Sequence, residues 1–546
     1  MTLIPLILLL LVCLSRTLPT FESPELTVPT SNGLVVGKTV REGKVRQWLG
    51  IPYAAPPTGN NRFRAPQPVA SWTATPRDAF AFGFWCTQWN MFAPDADMIG
   101  SEDCLYLNVW SPSSAAAGDK LPVIVIVHGG GQNIGSGGDT SGGPVLAQEY
   151  SHGDILADKN NAVVISFNFR LNAFGFLTLP ALSVENGLGS SGGYGTLDQI
   201  QVLKWVKDNV LSFGGDPKKV GLMGISGGAT GIATLVASPL AEDLFAAAWI
   251  GTSLINHASN KTTMEASYLS LLPRLNCIGY SSILTCLRGS TQLQIHNAFV
   301  RDVLATSISA GGVVNFPFEF GTPTPPIGGY ILPLSPAKAL ANTNVNKKVT
   351  LILGNTNTEM TGALLGPGFV PSRDICTYFA FKYATAKTGH PLTSPALAAW
   401  VTAGINLYVD GPDSWLNCMS DIVYVCSGNS LANAAVEGDR DVYRYVFNYN
   451  VAPAVLPHAQ HADDNLFLSG RIDYAVFLGP LVPTDFAYWL RQTMQEALIT
   501  FASKRDVDYW PEYTAGLKKH LVFDDPLSIG TSYRAATCTY WNNPTL

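Results

Sequence analysis

Residues 221–231 read GLMGISGGATG and place a single serine among glycines, with Gly224 two positions before Ser226 and with Gly227 and Gly228 directly after it. The apolar residues before this serine predict a strand, and the small residues after it predict a helix. A strand-to-helix turn this sharp strains the backbone of its central residue and leaves little room for flanking side chains. The pattern predicts a nucleophile elbow that presents the Ser226 hydroxyl above a sheet, although a small-residue packing turn has the same composition.

The segments around this turn alternate between strand-like and helix-like spacing. Residues 121–127 (LPVIVIV) and 162–169 (AVVISFNF) are continuous apolar runs, which are typical of strands buried on both faces. Residues 197–213 have helical spacing, and two further strands are predicted at 347–354 and 441–451. This alternation predicts an α/β fold with a large, mostly parallel central sheet and helices on both faces. Because no repeat or low-complexity linker divides the chain, we predict a single domain.

The composition restricts the partners of the chain. Of the 546 residues, 47% are hydrophobic and 14% are charged, so the chain can bury a large core and does not resemble a disordered protein. The formal net charge is -6 and no basic cluster is present. Both features argue against a nucleic-acid partner and against an anionic membrane.

The amino terminus has the pattern of an export signal. An apolar run from Leu3 to Leu14 is too short to span a bilayer, which takes about 20 residues, but suits the core of a signal peptide. We predict a signal peptide over residues 1–19 and one folded domain over residues 20–546; a buried amino-terminal strand is the alternative. No other stretch reaches about 18 uninterrupted apolar residues, so we expect a secreted protein without stable membrane insertion.

The cysteines agree with an extracellular location. Loss of the signal peptide removes Cys13 and leaves eight cysteines, which are Cys86, Cys104, Cys277, Cys286, Cys376, Cys418, Cys426 and Cys538. An even number in an exported chain predicts disulfides. No Cys-x-x-Cys or His-x-x-x-His spacing occurs, so neither a metal nor a cofactor is predicted. Asn260 opens an N-glycosylation sequon, Asn-Lys-Thr.

A second glycine-rich stretch follows the strand predicted at 121–127. Residues 128–133 read HGGGQN, and backbone N–H groups can approach a substrate oxygen closely only where no Cβ intervenes. The position, directly after a buried strand, favours an oxyanion hole over a flexible turn.

Longer motifs that include these glycine-rich stretches or lie near them resemble one protein family. The stretches FGGDPKKVGLMGISGG (213–228) and EDCLYLNVWSP (102–112) are similar to the two signatures of the type-B carboxylesterase/lipase family, and NFRLNAFGFL (168–177) also resembles that family. The resemblance implies an α/β-hydrolase fold for residues 20–546 and hydrolysis of carboxylic esters. By the same resemblance, the backbone N–H groups of Gly130, Gly131 and Gly227 would form the oxyanion hole.

Ser226 needs a histidine that accepts its proton and an acid that orients the histidine. The segment HADDNLFLSG, which starts at His461, resembles the histidine segment of the family and follows a predicted strand. His458, three residues earlier, is the alternative base. For the acid we predict Glu359, just beyond the strand at 347–354, because α/β-hydrolases keep the order serine, acid, histidine.

Two sequence departures affect the triad prediction. Where the family usually has Asp-Glu-Gly, this chain has Thr358-Glu359-Met360, so an ordinary surface carboxylate is the alternative for Glu359. The family usually has glutamate before the serine, whereas this chain has Ile225. A catalytically degenerate binding or adhesion protein on the same scaffold is therefore the non-enzymatic alternative.

The resemblance also implies disulfides and ion pairs. It pairs Cys86 with Cys104, Cys277 with Cys286 and Cys426 with Cys538, which leaves Cys376 with Cys418. It further implies ion pairs between Arg62 and Glu102 and between Arg170 and Asp198.

Three features of the sequence predict which kind of ester the protein hydrolyses. Ile225 removes a carboxylate next to the serine, which favours neutral and fairly hydrophobic substrates. Pro94 stands where cholinesterases place a cation-binding tryptophan, which argues against choline esters. The loop at 87–103 is shorter than the amphipathic lid of the family's lipases, so a small-molecule ester is preferred over the alternative, a lipase or sterol esterase acting on long-chain lipid esters.

Overall fold

The structure, a computed structural model, describes residues 26–90, 98–138, 151–253, 259–278, 282–299, 323–360, 371–388, 393–409, 411–451, 458–475, 479–480 and 482–543. The predicted signal peptide and Pro94 lie outside the described residues.

The described strands are β1 (Thr27–Thr30), β2 (Gly33–Val36), β3 (Lys38–Val40), β4 (Val45–Pro52), β5 (Trp72–Asp78), β6 (Gln88–Trp89), β7 (Met98–Ile99), β8 (Tyr106–Pro112), β9 (Leu121–Val127), β10 (Val163–Phe167), β11 (Gly215–Ile225), β12 (Ala247–Gly251), β13 (Thr350–Thr356), β14 (Val442–Phe447), β15 (Tyr474–Ala475), β16 (Gly479–Pro480), β17 (Lys519–Phe523) and β18 (Ser528–Thr531).

The described α-helices are α1 (Asp154–Asn160), α2 (Asn172–Phe176), α3 (Pro180–Glu185), α4 (Tyr194–Asn209), α5 (Gly227–Ala237), α6 (Lys261–Leu269), α7 (Leu271–Arg274), α8 (Ile283–Gly289), α9 (292–299), α10 (Pro336–Asn342), α11 (Arg373–Thr388), α12 (Pro395–Ile405), α13 (Pro412–Ser420), α14 (Cys426–Glu437), α15 (Asp463–Ser469), α16 (Asp485–Lys504) and α17 (Ala535–Asn542). A π-helical turn (Asp421–Val425) joins α13 to α14, and short 3-10 turns occur at Gly59–Asn61, Val210–Phe213 and Pro239–Ala241.

Eleven strands form the central sheet, in the order β18-β17-β14-β13-β12-β11-β9-β10-β8-β4-β3. The run from β17 to β10 is parallel, and antiparallel strands flank it on both sides. The strands predicted from the sequence appear here as β9, β10, β13 and β14, and the predicted fold class is confirmed. Parallel strands place their carboxyl ends at one edge, which is where open α/β sheets bind ligands.

Apolar clusters cover both faces of this sheet. On one face, Ile200, Leu203 and Val206 of α4 pack with Val123 and Val125 of β9. On the opposite face, Leu490, Leu498 and Phe501 of α16 pack with Ile124 and Ile126 of the same strand. Successive residues of β9 therefore point into different clusters, which explains why the sequence of this strand is apolar throughout.

All eight cysteines of the predicted mature chain are paired in the structure. The disulfides are Cys86–Cys104, Cys277–Cys286, Cys376–Cys418 and Cys426–Cys538. The last two enclose the π-helical turn, because Cys418 precedes it and Cys426 follows it. These bridges tie α11, α13, α14 and α17 together beside the sheet.

The two ion pairs implied by the family resemblance are also present. Arg62 Nε lies 2.7 Å from Glu102 Oε2, and Arg170 binds both carboxylate oxygens of Asp198, at 2.8 and 2.7 Å. Within the part of the chain that the structure describes, every helix is too short or too polar to cross a bilayer.

Candidate active site

Ser226 occupies a strained turn between β11 and α5. Its backbone angles are φ 58° and ψ -125°, which a residue with a side chain rarely adopts, and its N–H donates to the Gly251 carbonyl oxygen at 2.9 Å. A Cβ on Gly228 would lie 2.1 Å from the Val127 carbonyl oxygen. Glycine is therefore required at 228 by the neighbouring strand, and the serine itself remains partly exposed.

The glycine-rich stretch after β9 lies against the beginning of α5. A Cβ on Gly227 would lie only 2.5 Å from the Gly131 backbone nitrogen, so the two segments touch. Gly130 and Gly131 have φ of 98° and 61°, in the region that favours glycine. Among the described residues, no group accepts a hydrogen bond from the N–H of Gly130, Gly131 or Gly227. These three donors remain available to a ligand.

His461 and Glu359 are hydrogen-bonded. His461 Nδ1 lies 2.8 Å from Glu359 Oε2, and both side chains are buried, at 5% and 0% exposure of the residue. The alternative that Glu359 is a surface carboxylate is wrong, because burial excludes it from solvent. Since Nδ1 donates to the carboxylate, Nε2 is the ring nitrogen left to accept a proton.

Further groups hold the Glu359 carboxylate in place. Thr252 Oγ1 and the Thr356 N–H both donate to Glu359 Oε1, at 2.8 and 2.7 Å. The backbone N–H of Glu359 donates to Ser420 Oγ at 3.0 Å. With Oε1 occupied by two donors, Oε2 faces His461.

Neighbouring strands bring these residues to one edge of the sheet. Ser226 follows β11, Thr252 follows β12, Glu359 lies just beyond β13, and His461 is reached by the loop after β14. These four strands are adjacent in the sheet and parallel, and β9, which carries the glycine-rich stretch, borders β11 on the other side. The fold therefore collects the candidate nucleophile, base, acid and oxyanion donors at the same carboxyl edge.

The sequence did not indicate three of the supporting residues. Thr252 and Ser420 carry no motif, and Tyr424 packs its ring against His461 with centroids 4.8 Å apart. Ser420 and Tyr424 flank or lie in the π-helical turn, a feature that often occurs at functional sites. Of these three residues, only Thr252 has a sequence feature that points to the site, because it is a polar residue at the end of a buried strand.

The other candidate residues lie elsewhere. His458 Nε2 lies 3.6 Å from Asp413 Oδ1, and it makes no described contact with Ser226 or Glu359. Asn260 is exposed and its side chain accepts from the Thr263 N–H at the start of α6. Among the described residues, no cluster of three or more His, Cys, Asp or Glu side chains could hold a metal ion.

Two more carboxyl groups lie near the His461–Glu359 pair. Burial raises the pKa of Asp463 to about 8 and that of Asp464 to about 6, with repulsion from Glu359 contributing to both. Asp464 Oδ2 accepts from the Tyr445 hydroxyl at 2.5 Å, and Asp463 Oδ2 accepts from the Gln460 N–H at 2.8 Å. Asp463 is therefore mostly uncharged at neutral pH, which limits the negative charge beside His461.

His128 supports the turn that carries the oxyanion glycines. Its Nδ1 lies 2.9 Å from the Gly129 carbonyl oxygen, its ring stacks on Phe169 with centroids 4.4 Å apart, and its Nε2 has no partner among the described residues. Burial lowers the pKa of His128 from its ordinary value of 6.5 to about 4. The imidazole is therefore neutral and serves as a packing element at neutral pH.

This depressed pKa predicts a loss of stability in mild acid. Between about pH 6.5 and about pH 4, the unfolded chain binds a proton on His128 that the folded chain does not bind, so stability falls as the pH drops through this window. From pH 7 to pH 5 we expect His128 to cost roughly 2 kcal/mol of unfolding free energy. Urea denaturation of the wild type and of His128→Gln at both pH values measures this term. An equal loss in the two proteins would contradict it.

Comparison with known proteins shows similarity over almost the whole chain. Residues 24–541 match the family model described as Carboxylesterase family. The chain is 30% identical over 518 residues to the para-nitrobenzyl esterase of Bacillus subtilis (strain 168), covering 92% of this chain and 95% of that protein. It is 27% identical over 577 residues to an acetylcholinesterase of Leptinotarsa decemlineata, and the match covers 96% of this chain and 86% of that protein. A solved PNB esterase structure has a TM-score of 0.77 at 28% identity and covers 95% of this chain and 100% of its own.

A strained serine at the carboxyl edge of a large, mostly parallel sheet defines the class as an α/β-hydrolase. The chain belongs to the carboxylesterase family. It is a serine hydrolase of carboxylic esters, and its substrates are small-molecule esters.

Proposed function

We propose that the protein is a secreted carboxylesterase that hydrolyses neutral, hydrophobic esters through Ser226, His461 and Glu359. The observation that carries this proposal is the hydrogen bond between His461 Nδ1 and Glu359 Oε2, at the sheet edge where Ser226 occupies its strained turn. The three residues follow the chain order serine, acid, histidine that α/β-hydrolases use.

The proposed reaction has two halves. Ser226 Oγ attacks the carbonyl carbon of the ester while His461 Nε2 accepts the serine proton. The tetrahedral intermediate then breaks its bond to the alcohol oxygen, and His461 returns the proton to the departing alcohol. A water molecule attacks the acyl-serine with His461 again as base, which releases the acid and restores the Ser226 hydroxyl. Glu359 stabilises the imidazolium in both halves and fixes the tautomer.

The proposed oxyanion hole consists of the N–H groups of Gly130, Gly131 and Gly227. All three lack an acceptor among the described residues, and Gly227 is in close contact with Gly131. Donors that are already in place need no reorganisation when negative charge develops on the carbonyl oxygen. Removal of one such donor in a comparable hydrolase costs about 10² to 10³ in kcat.

A methyl group at position 227 is expected to damage this hole. In Gly227→Ala the new Cβ would meet the Gly131 nitrogen at 2.5 Å, so the two donor segments must separate. We expect kcat to fall by about 10²-fold or more, with a smaller change in KM. Steady-state kinetics on a nitrophenyl ester measures this. Gly289→Ala, where a Cβ meets nothing within 4 Å, is the control and is expected to behave as wild type. Unchanged kcat in folded Gly227→Ala would remove Gly227 from the oxyanion hole.

The proposed substrate preference depends on low charge near the serine. Ile225 is 3% exposed and packs in the apolar cluster with Met223 and Trp249. Of the two carboxyl groups beside the His461–Glu359 pair, only Asp464, with a pKa of about 6, is mostly ionised at pH 7, because the pKa of Asp463 is about 8. Trp89 is buried and packs against Phe299 with centroids 6.4 Å apart, which is a structural contact in the loop region. A site with these features favours a neutral ester over a quaternary ammonium ester.

A panel of nitrophenyl esters from acetate to palmitate, dissolved and emulsified, tests the substrate class. We expect the highest kcat/KM on dissolved esters, without a jump on emulsions, because the loop at 87–103 is too short for a lipase-type lid. A sharp rise in rate on emulsified palmitate would favour the lipase alternative.

A matched pair of substrates tests the charge preference. Butyrylcholine and 3,3-dimethylbutyl butyrate have the same shape and differ in one positive charge. We expect the neutral ester to have the higher kcat/KM, and a choline ester that is the faster of the two would contradict the proposal.

Secretion and glycosylation are part of the proposal. The predicted signal peptide precedes a domain with four disulfides, which persist in oxidising compartments. The Asn260 side chain is exposed, as an occupied sequon requires.

A further inference from the structure

A second polar cavity lies beside the sheet, between β14, β17, α14 and α17. Its cavity volume is about 80 Å³, and it shares no residue with the candidate active site. Three basic residues line it, namely Arg444, Lys518 and His520, and none of the described residues that line it is acidic. Its walls also carry neutral hydrogen-bonding groups, such as Asn429 and Tyr533.

Arg444 is buried without a counter-charge. The residue is 2% exposed, and its Nη2 donates to Asn429 Oδ1 at 2.8 Å and to Asn355 Oδ1 at 3.2 Å. Its Nη1 is buried and has no hydrogen-bond partner among the described residues. No described carboxylate forms an ion pair with it. A guanidinium remains charged in proteins, and a buried charge that only neutral amides contact is costly.

The other two basic side chains differ in charge, and only Lys518 adds to the positive potential of the cavity. Lys518 is half-buried, and no described acid pairs with it. His520 is 5% exposed, and burial together with the nearby Arg444 charge lowers the pKa of His520 to about 4. His520 therefore stays neutral at pH 7 and adds no positive charge to the cavity. Its ring packs edge-on against Tyr533, with centroids 5.8 Å apart.

We propose that this cavity binds a small oxyanion of the phosphate or sulfate type. Such an anion supplies the negative charge that Arg444 and Lys518 lack among the described residues, and its several oxygens can accept hydrogen bonds from the guanidinium and the ammonium group. The site is separate from ester hydrolysis, since Ser226, Glu359 and His461 do not contribute to it. Its expected consequence is stabilisation of the folded protein by the bound anion.

Titration of the full-length protein with inorganic phosphate tests the proposal. The experiment uses isothermal calorimetry and the thermal denaturation midpoint, with sodium chloride replaced so that ionic strength stays constant. We expect saturable binding and a rising midpoint for the wild type. Lys518→Gln is expected to weaken binding about tenfold, and Arg444→Gln is expected to abolish it. Titration with sulfate should compete, whereas acetate at the same concentration should bind more weakly.

The control variant is Lys348→Gln, which removes the same charge at an exposed position that is distant from the cavity residues in the sequence. We expect this variant to bind phosphate as the wild type does. If Arg444→Gln does not fold, Lys518→Gln decides the matter, because its side chain is only half-buried. The proposal is overturned by a wild type that shows no saturable phosphate binding. It is equally overturned if Lys518→Gln binds as tightly as the wild type, or if Lys348→Gln is weakened to the same extent as Lys518→Gln.

Discussion

Replacement of Ser226 by alanine is expected to reduce kcat by about 10⁶-fold, to the level set by the oxyanion donors and substrate binding alone. The hydroxyl oxygen is the only group that the strained turn presents as a nucleophile, so its loss removes the acyl-enzyme route. The fold should persist, because alanine has the same Cβ as serine and adds no atom that would increase the strain at the backbone angles φ 58° and ψ -125°. Steady-state hydrolysis of a nitrophenyl ester measures the loss.

Labelling with a fluorophosphonate gives an independent readout of the same residue. The wild type should be labelled once, on Ser226, and Ser226→Ala should not be labelled. Ser267→Ala is the matched control, because Ser267 is exposed on α6 and its hydroxyl donates only to the Thr263 carbonyl oxygen. Turnover or labelling that survives in Ser226→Ala would place the nucleophile elsewhere.

Replacement of Glu359 by glutamine is expected to lower kcat by about 10⁴-fold with little change in KM. Thr252 and Thr356 both donate to Glu359 Oε1, so they should hold the amide oxygen of glutamine at that position. The amide NH₂ would then face His461 Nδ1 and donate to it. That contact favours the tautomer with its hydrogen on Nε2, which cannot accept the serine proton. Kinetics of purified Glu359→Gln, with its denaturation midpoint measured in parallel, checks the prediction.

Asp463→Asn provides the control for this second variant. It changes another buried carboxyl group near His461, and the raised pKa of Asp463, about 8, means that little charge is lost at pH 7. We expect a change in kcat of less than about tenfold, because Asp463 accepts from the Gln460 backbone and does not hold the imidazole. Glu359→Gln that retains kcat within tenfold of the wild type would mean that Glu359 is not the acid of the triad.

The sequence was sufficient to predict the elements that local chemistry determines. The apolar runs at 121–127 and 162–169 became buried parallel strands, because a strand covered on both faces needs apolar residues at every position. The elbow around Ser226 is predictable from the sequence because the space between the strand and the following helix is too small for side chains, so glycines are needed there. The choice of His461 and Glu359 came from chain order and family resemblance, which carry some tertiary information indirectly.

Tertiary structure alone decided which distant side chains support these residues. Thr252 reaches Glu359 because β12 lies between β11 and β13, and Ser420 reaches the same loop from the end of α13, directly before the turn that lies between two disulfides. Among the described residues, Arg444 lacks a carboxylate partner because of what packs around it, and no motif in the sequence indicates this. Strand order and helix docking are set by crossovers that join segments far apart in the chain. The local pattern of residues therefore determines where a strand or a sharp turn forms. The packed fold determines which side chains meet at the ends of the strands.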